Sequence, residues 1–292
     1  MRVFYLVSAE KRLIRQASQA QPRLIHFFYP ENCFFTGPFP KNFKGKTLLT
    51  LHQPQSVLPS FKTSFQGKSF LETAKNAGLL IALSPHVVRA YRAAFLNPRI
   101  QVIPHGVDTN FFRPQKKEKR FPLILTVGNW MRDFNLWAQV AENFLKNERA
   151  EKFCLITNPE NIRRFQIQKT RNTIFYHGVK DQEIRDLYNQ ADCIFLPLLD
   201  AVANNALLEA LAVNRRVLVT DLPATKYYGS NRVWYFDKKA GPDAAASALT
   251  DLLNKKINKK KKVSSLEYAK SNFSWVKISN LYLKTYDSLL KK

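Results

Sequence analysis

The feature that most constrains this chain is an alternation along its whole length, in which short β-branched or aromatic runs are followed by longer amphipathic stretches. Such a pattern specifies a parallel sheet with crossover helices, because parallel neighbours need a long return connection. In the first half the predicted strands are Val3 to Val7, Leu24 to Phe28, Thr47 to Leu51, Leu79 to Leu83 and Gln101 to Ile103. Between the last two, Pro85 to Phe95 reads as a helix with Ser84 as its N-cap and proline at the first helical position. In the second half the predicted strands are Leu123 to Val127, Phe153 to Ile156, Thr173 to Tyr176, Cys193 to Leu196, Arg216 to Thr220 and Val233 to Phe236. Helices are expected at Asp133 to Asn147, Asp181 to Gln190 and Asn204 to Val213. Apolar residues at helical spacing from Trp275 to Leu289 predict a terminal helix packed on the body.

The Lys-rich run Arg113 to Arg120, ending at Pro122, reads as a linker between two regular halves. A length of 292 residues suits two modest α/β domains, and 22 Phe with 11 Tyr supply ample core material. No apolar run approaches the ~20 residues that span a bilayer. The N-terminus carries no cleavage-site pattern, and a cytoplasmic protein is expected. Cys33, Cys154 and Cys193 show no CxxC spacing and read as reduced thiols.

Charge is the compositional outlier, at +24. Residues 1 to 108 carry 14 basic and 4 acidic side chains, so the excess is spread over both halves. Such a chain concentrates near polyanions, whether nucleic acid, anionic headgroups or diphosphates, unless the count reflects a lysine-rich proteome. The run Lys255 to Lys262 reads as a solvated loop or a membrane-surface patch.

Chemistry concentrates in AVANNALLEALAVNRRVLVT, Ala201 to Thr220, which lies between two predicted strands. A helix starting at Asn204 or Asn205 aims its free N–H groups and positive dipole end above the strand ends, where ligands bind in open α/β sheets. Glu209 lies on the face of Asn205 at i, i+4, one turn further in. A carboxylate there suits a vicinal diol, as it accepts two hydrogen bonds. The alternative is a helix whose asparagines only cap it and whose glutamate is solvated.

This segment resembles the donor-binding helix of the retaining GT-B glycosyltransferases called family 4, in which an acidic residue is followed after seven others by Glu, a small-residue turn and an apolar strand. Further stretches are similar in the expected order. IQVIPHGVDTNFFRP (Ile100 to Pro114) resembles the family's interdomain hinge, and FPLILTVGNWMRDFNLW (Phe121 to Trp137) its first C-domain strand and phosphate loop. IFYHGVKDQEIRDLYNQADCIFLPL (Ile174 to Leu198) is similar to the base-holding stretch, and SNFSWVKISNLYLKTYDSLL to the closing helix. The resemblance covers residues 79 to 292 well and the first 78 weakly.

It implies a GT-B fold, with two Rossmann-like domains facing each other across a cleft and the N-terminal one shortened. The domains would be residues 1–108, on the acceptor side, and 109–292, binding a nucleotide sugar, with the terminal helix (about 273–292) crossing back. It also implies roles. Gly128 and Asn129 would border the diphosphate and Arg132 supply its forked cation; the family's usual arginine directly after this glycine is replaced here by Asn129. His177, Gly178 and Val179 would line the base pocket. Asn204 would open the helix, Asn205, Ala206 and Leu207 would hold the phosphates by their N–H groups, and Glu209 would take the ribose.

Eight positions before Glu209 stands Ala201 instead of the family's acidic residue, and Asp200 is one place early. On the acceptor side LLTLHQP resembles the strand that delivers a histidine, here His52. SAEKR, Ser8 to Arg12, stands where the glycine-rich loop is expected. The implied activity is transfer of a sugar from a UDP- or GDP-sugar to a glycan or lipid-linked acceptor with retained configuration. It would need no metal, as no DxD tripeptide occurs, and no other cofactor. An anionic membrane surface is an expected partner, met through the helix carrying Lys11, Arg12 and Arg15. Of the aromatics nearby, Phe27, Phe28, Phe34 and Phe35, the first two read more as a buried cluster. Two other classes stay open: a nucleotide-sugar-binding relative without turnover, suggested by Ala201, and a nucleic-acid binder, suggested by charge alone and supported by no recognition motif.

Overall fold

The computed structural model of the chain describes residues 2–118, 121–255 and 264–291. It divides into two compact units, residues 1–105 with 278–292, and residues 106–277.

In the first unit the elements run α1 (Arg2–Ala20), β1 (Leu24–Phe27), β2 (Lys46–Leu51), α2 (Phe65–Asn76), β3 (Leu79–Ala82), α3 (Val88–Phe95) and β4 (Ile100–Val102). The four strands are parallel and lie in the order β1-β2-β3-β4. Val3 to Val7, expected as a strand, belongs to α1. A short apolar run cannot be assigned by periodicity alone, and no Gly or Pro interrupts the chain until Pro22, so the helix propagates through it. Buried Glu10 fastens α1 by accepting the N–H groups of Phe35 and Thr36 at 2.9 and 3.0 Å. Before α3, Pro85–Val87 forms a 3-10 turn.

One face of this sheet is aromatic: Phe34 rings with Phe27 and Phe70, and Phe70 with Phe95. Phe27 and Phe34 are buried, whereas Phe28 is 53% exposed, against expectation, because β1 ends at Phe27 and the next side chain leaves the sheet. The opposite face is closed by the terminal helix, since Leu48, Ile81 and Ile103 pack with Ile278 and Tyr282. His26 pins this contact, with Nδ1 2.7 Å from the Tyr286 hydroxyl and Nε2 2.8 Å from Thr50 Oγ1.

The second unit runs β5 (Leu123–Val127), α4 (Phe134–Lys146), β6 (Lys152–Ile156), α5 (Pro159–Arg164), β7 (Thr173–Tyr176), α6 (Asp181–Gln190), β8 (Cys193–Leu196), α7 (Asn205–Ala212), β9 (Arg216–Thr220), α8 (Pro223–Gly229), β10 (Trp234–Phe236), α9 (Gly241–Asn254) and α10 (Ser265–Phe273), and α11 (Trp275–Leu290) follows. All six predicted strands are present. They form one parallel sheet in the order β10-β9-β8-β5-β6-β7, the doubly wound arrangement in which chain order reverses between β5 and β8.

Successive residues of each strand point to opposite faces, so each face has its own core. Leu125, Cys154, Ile194 and Val217 pack with α7 residues Leu207, Leu208 and Leu211. Ile124, Phe153, Phe195 and Leu218 pack with Trp137, Val140 and Phe144 of α4 and Leu249 of α9. The segment expected as a linker lies inside this unit, along α6: Gln115 N–H donates to Asn189 Oδ1 at 2.7 Å, and Lys117 pairs with Asp186 at 3.0 Å. Lys119 and Arg120, and the charge run from Lys256 to Lys262, lie outside the described residues. Val107 forms a parallel bridge with Ser274, and Gly106 is packed so tightly on the Trp275 ring that a side chain there would meet it.

Candidate functional site

At the reversal of strand order, where open α/β sheets form their ligand crevice, two loops meet, residues 128–133 after β5 and 197–204 after β8. They are stitched together, Asp133 N–H donating to the Pro197 carbonyl at 2.9 Å and Leu199 N–H to the Met131 carbonyl at 3.0 Å. Asp133 then caps α4 by accepting Leu136 N–H at 2.9 Å. Gly128 has φ +131°, a conformation that suits glycine, and the Arg132 guanidinium lies where its side chain would be.

Arg132 differs from expectation. Its Nε and Nη2 donate to the Val127 carbonyl at 3.0 and 2.8 Å, and its Nη1 to the Trp130 carbonyl at 3.0 Å. The fork is thus held by backbone, and Arg132 serves as a fixed positive charge more than as a free clamp. Burial draws its pKa down to about 10, against the opposing pull of Tyr188 and Glu209. Asn129 holds loops: its Oδ1 accepts from Thr157 Oγ1 at 3.1 Å and Asn158 N–H at 2.7 Å. The family's arginine position is therefore occupied by a residue that joins the β5 and β6 loops.

Across the crevice, α7 is apolar almost all round, with Ala206, Leu207, Leu208, Ala210, Leu211 and Ala212 buried. Only Asn205 and Glu209 break this, four residues apart on one face. Asn204 is the N-cap, its Oδ1 accepting Leu207 N–H at 2.9 Å. That bond takes Leu207 out of the expected phosphate-binding set. Asn205 and Ala206 stand in the first turn, where N–H groups have no intrahelical acceptor.

Glu209 is half-buried, and desolvation raises its carboxyl pKa, countered by the hydrogen bond from Tyr188 and by the Arg132 charge. The Tyr188 hydroxyl of α6 donates to Glu209 Oε2 at 2.8 Å. Its own pKa is pushed well above the ordinary phenol value by burial, then by Glu209. Sequence reasoning missed Tyr188, because at its place on α6 it reads as one more core aromatic. Tyr188 thus holds one of the two carboxylate oxygens of Glu209.

The remaining residues distribute as follows. His177 and Gly178 are exposed after β7, Gly178 with φ +62°, and Val179 is half-buried. Val179 lines a cavity of about 470 Å³ with Ile174, Tyr176, Cys154 and Leu187. Asp200 turns back on its own chain, Oδ1 accepting Ala201 N–H at 2.7 Å. Lys238, which carried no sequence signal, reaches the same loop by donating to the Leu199 carbonyl at 2.6 Å. Among the described residues no group of His, Cys, Asp and Glu is arranged to hold a metal ion, and no helix is long and apolar enough to cross a membrane.

His52 belongs to the first unit, at the carboxyl end of β2. Tyr29 stacks on it with ring centroids 4.2 Å apart, and Glu31 Oε1 accepts its backbone N–H at 2.5 Å.

Comparison with known proteins agrees with this architecture. The family model for Glycosyltransferase Family 4 matches residues 2–111, and that for Glycosyl transferases group 1 matches residues 122–255. No curated protein matches by sequence. Among solved structures, sucrose-phosphate synthase from Thermosynechococcus elongatus aligns with TM-score 0.73 at 16% identity, over 98% of this chain and 78% of that one. A glycosyltransferase from Rickettsia africae aligns with TM-score 0.66 at 16% identity, over 99% and 82%. A structure described as trehalose-6-phosphate from E. coli bound with UDP-2-fluoro glucose aligns with TM-score 0.74 at 12% identity, over 98% and 78%. At these identities the likeness establishes the fold. With one family model in each half and a reversed parallel sheet in the second, the chain belongs to the GT-B glycosyltransferases, a family 4 domain joined to a group 1 domain.

Proposed function

We propose that the protein transfers a sugar from a nucleotide-diphosphate sugar, UDP- or GDP-linked, to a glycan or lipid-linked acceptor, with retained configuration and no metal. The observation that carries this reading is the reversal of strand order between β5 and β8, with α7 opening beside it. There the open first-turn amides of α7 at Asn205 and Ala206 favour a diphosphate, and Glu209 behind them offers Oε1 to a ribose hydroxyl. The fixed charge of Arg132 is suited to the negative charge that grows on the leaving phosphate. Val179 and its cavity would take the base. The neighbour bound with UDP-2-fluoro glucose supports a nucleoside diphosphate as the ligand class. We assign the enzyme to the cytoplasm, at an anionic membrane face, on the strength of its +24 charge.

A thermal-shift screen against UDP, GDP, ADP and their sugars tests the proposal. A ligand at about 100 times its Kd should raise the melting point by roughly 5–10 °C. Absence of a shift with every nucleotide would remove the reading. Chelator in the transfer assay should leave the rate unchanged.

A second reading is favoured by one observation, the Asp200 carboxylate turned onto Ala201 N–H where the family has an acidic residue for the sugar. It makes the protein a nucleotide-sugar binder without turnover. A thermal shift with no release of nucleotide diphosphate in the presence of cell-envelope glycan fractions would favour it.

A further inference from the structure

The first unit holds a second arrangement of ionisable groups, remote in sequence from the nucleotide crevice. After β1 the chain makes a 3-10 turn, Pro30–Asn32, whose first residue is buried proline. Gln66 of α2 anchors this turn, its Nε2 donating to the carbonyls of Glu31 and Cys33, both at 3.1 Å. The Glu31 side chain is thereby set over the end of β2 with only 4% of its surface exposed.

Its two oxygens do different things. Oε1 accepts the backbone N–H of His52, while Oε2 lies 3.8 Å from His52 Nδ1, and neither Oε2 nor Nδ1 has another hydrogen-bond partner although both are buried. A buried carboxylate oxygen left without a donor carries its full desolvation penalty uncompensated. The donor within reach is a proton on Nδ1, brought into bonding range by a small rotation of either side chain. The ring plane is set by Tyr29, stacked at an angle of 17°, while His105 stands edge-on at 6.4 Å. His52 in turn acts on His26, whose pKa it lowers together with the larger effect of burial.

We infer that Glu31 is a positioning residue that holds the His52 ring with a proton on Nδ1, so that Nε2 is the nitrogen left to hydrogen-bond a sugar hydroxyl. A histidine nitrogen is assigned its role by what the other nitrogen bonds, and here a carboxylate faces Nδ1. The sugar half of the inference rests on the glycosyltransferase reading of the preceding section. The tautomer half rests on geometry alone.

The test is the ring 15N spectrum of His52 above neutral pH, in the wild type and in Glu31→Gln. A glutamine of the same shape keeps its oxygen on the His52 backbone N–H and turns its NH₂ toward Nδ1, which must then accept. The expected result is a change from mainly Nδ1–H to mainly Nε2–H. An unchanged tautomer in folded Glu31→Gln overturns the inference and leaves nucleotide binding, read by thermal shift, untouched. Glucose serves as the hydroxyl probe: titrating it should move the wild-type Nε2 signal, with at least a tenfold weaker response in Glu31→Gln. No movement in the wild type overturns the sugar-binding half, again without bearing on the nucleotide crevice.

Discussion

The two units use the same material, parallel strands joined by helices, yet they make ligand sites in different ways. In the second unit chain order reverses between β5 and β8, so the connections leave the sheet to opposite faces and a crevice opens between them. Topology alone decides where a ligand sits, and the side chains there have only to refine it. The first unit has strands in consecutive order with no reversal. That order provides no reversal point, and the groups gathered at the end of β2 come from separate places in the chain, Tyr29 and Glu31 from the turn after β1 and His52 from β2. A reversed sheet carries its site in its backbone, whereas a consecutive one carries it in side chains.

That contrast can be broken or sharpened by experiment. The largest effect is expected from Ile278→Ala, which opens the core shared by Leu48, Ile81 and Ile103. It should cost about 2–5 kcal/mol, read as a lowered denaturation midpoint with hydrogen exchange accelerating in β2 and β3 first. Equal acceleration in β5 and β8 would show that the two units share one cooperative transition. Next comes Glu209→Gln, which keeps shape and removes the charge in the crevice. It should weaken nucleotide-diphosphate binding by roughly 10–100-fold, the equivalent of about 1.5–3 kcal/mol for a hydrogen bond to a charged group, measured by calorimetry; unaltered affinity would exclude Glu209 from the site.

Acidification should act on the first unit selectively. His26 is held neutral, its pKa lowered to about 4 by burial and then by His52. The unfolded chain takes up that proton near 6.5, so the stability His26 contributes is complete above that value and declines as pH falls toward 4. The melting point of the wild type should drop over this window, and that of His26→Gln should drop less. The smallest effect is Asn204→Ala, which removes the cap of α7 for about 1 kcal/mol. It also frees the Leu207 N–H, so phosphate affinity should hold or rise slightly while the melting point falls.

The same contrast explains what was legible in the sequence. The strands of the second unit stand out because each reads as an apolar or aromatic run between turns, and in β5, β6, β8 and β9 nearly every residue is buried. α7 and its cap could be read from NNALLEALA, in which Asn204 precedes an apolar periodicity. In the first unit α2 was invisible, because the face it buries is Gly67, Ser69, Thr73 and Ala74 beside a single Phe70, a surface without an apolar stripe. α1 was mistaken at Val3 to Val7 for want of a flanking turn. The resemblance points to Arg132, Asn129 and Leu207, but their hydrogen bonds within the protein are not foreseeable from it. Those bonds depend on carbonyls and amides of loops distant in sequence, at Val127, Thr157 and Asn204.

The first unit is discontinuous: its sheet is complete by Val102, yet one face of that sheet is closed by Ile278, Tyr282 and Tyr286. On the ribosome, β1 to β4 must wait with that face bare while the whole of the second unit is synthesised and free to fold. Truncation before Ile278 should therefore leave a chain that still binds nucleotide but exposes a strip of Leu48, Ile81 and Ile103, a form suited to capture by chaperones and to removal by proteases.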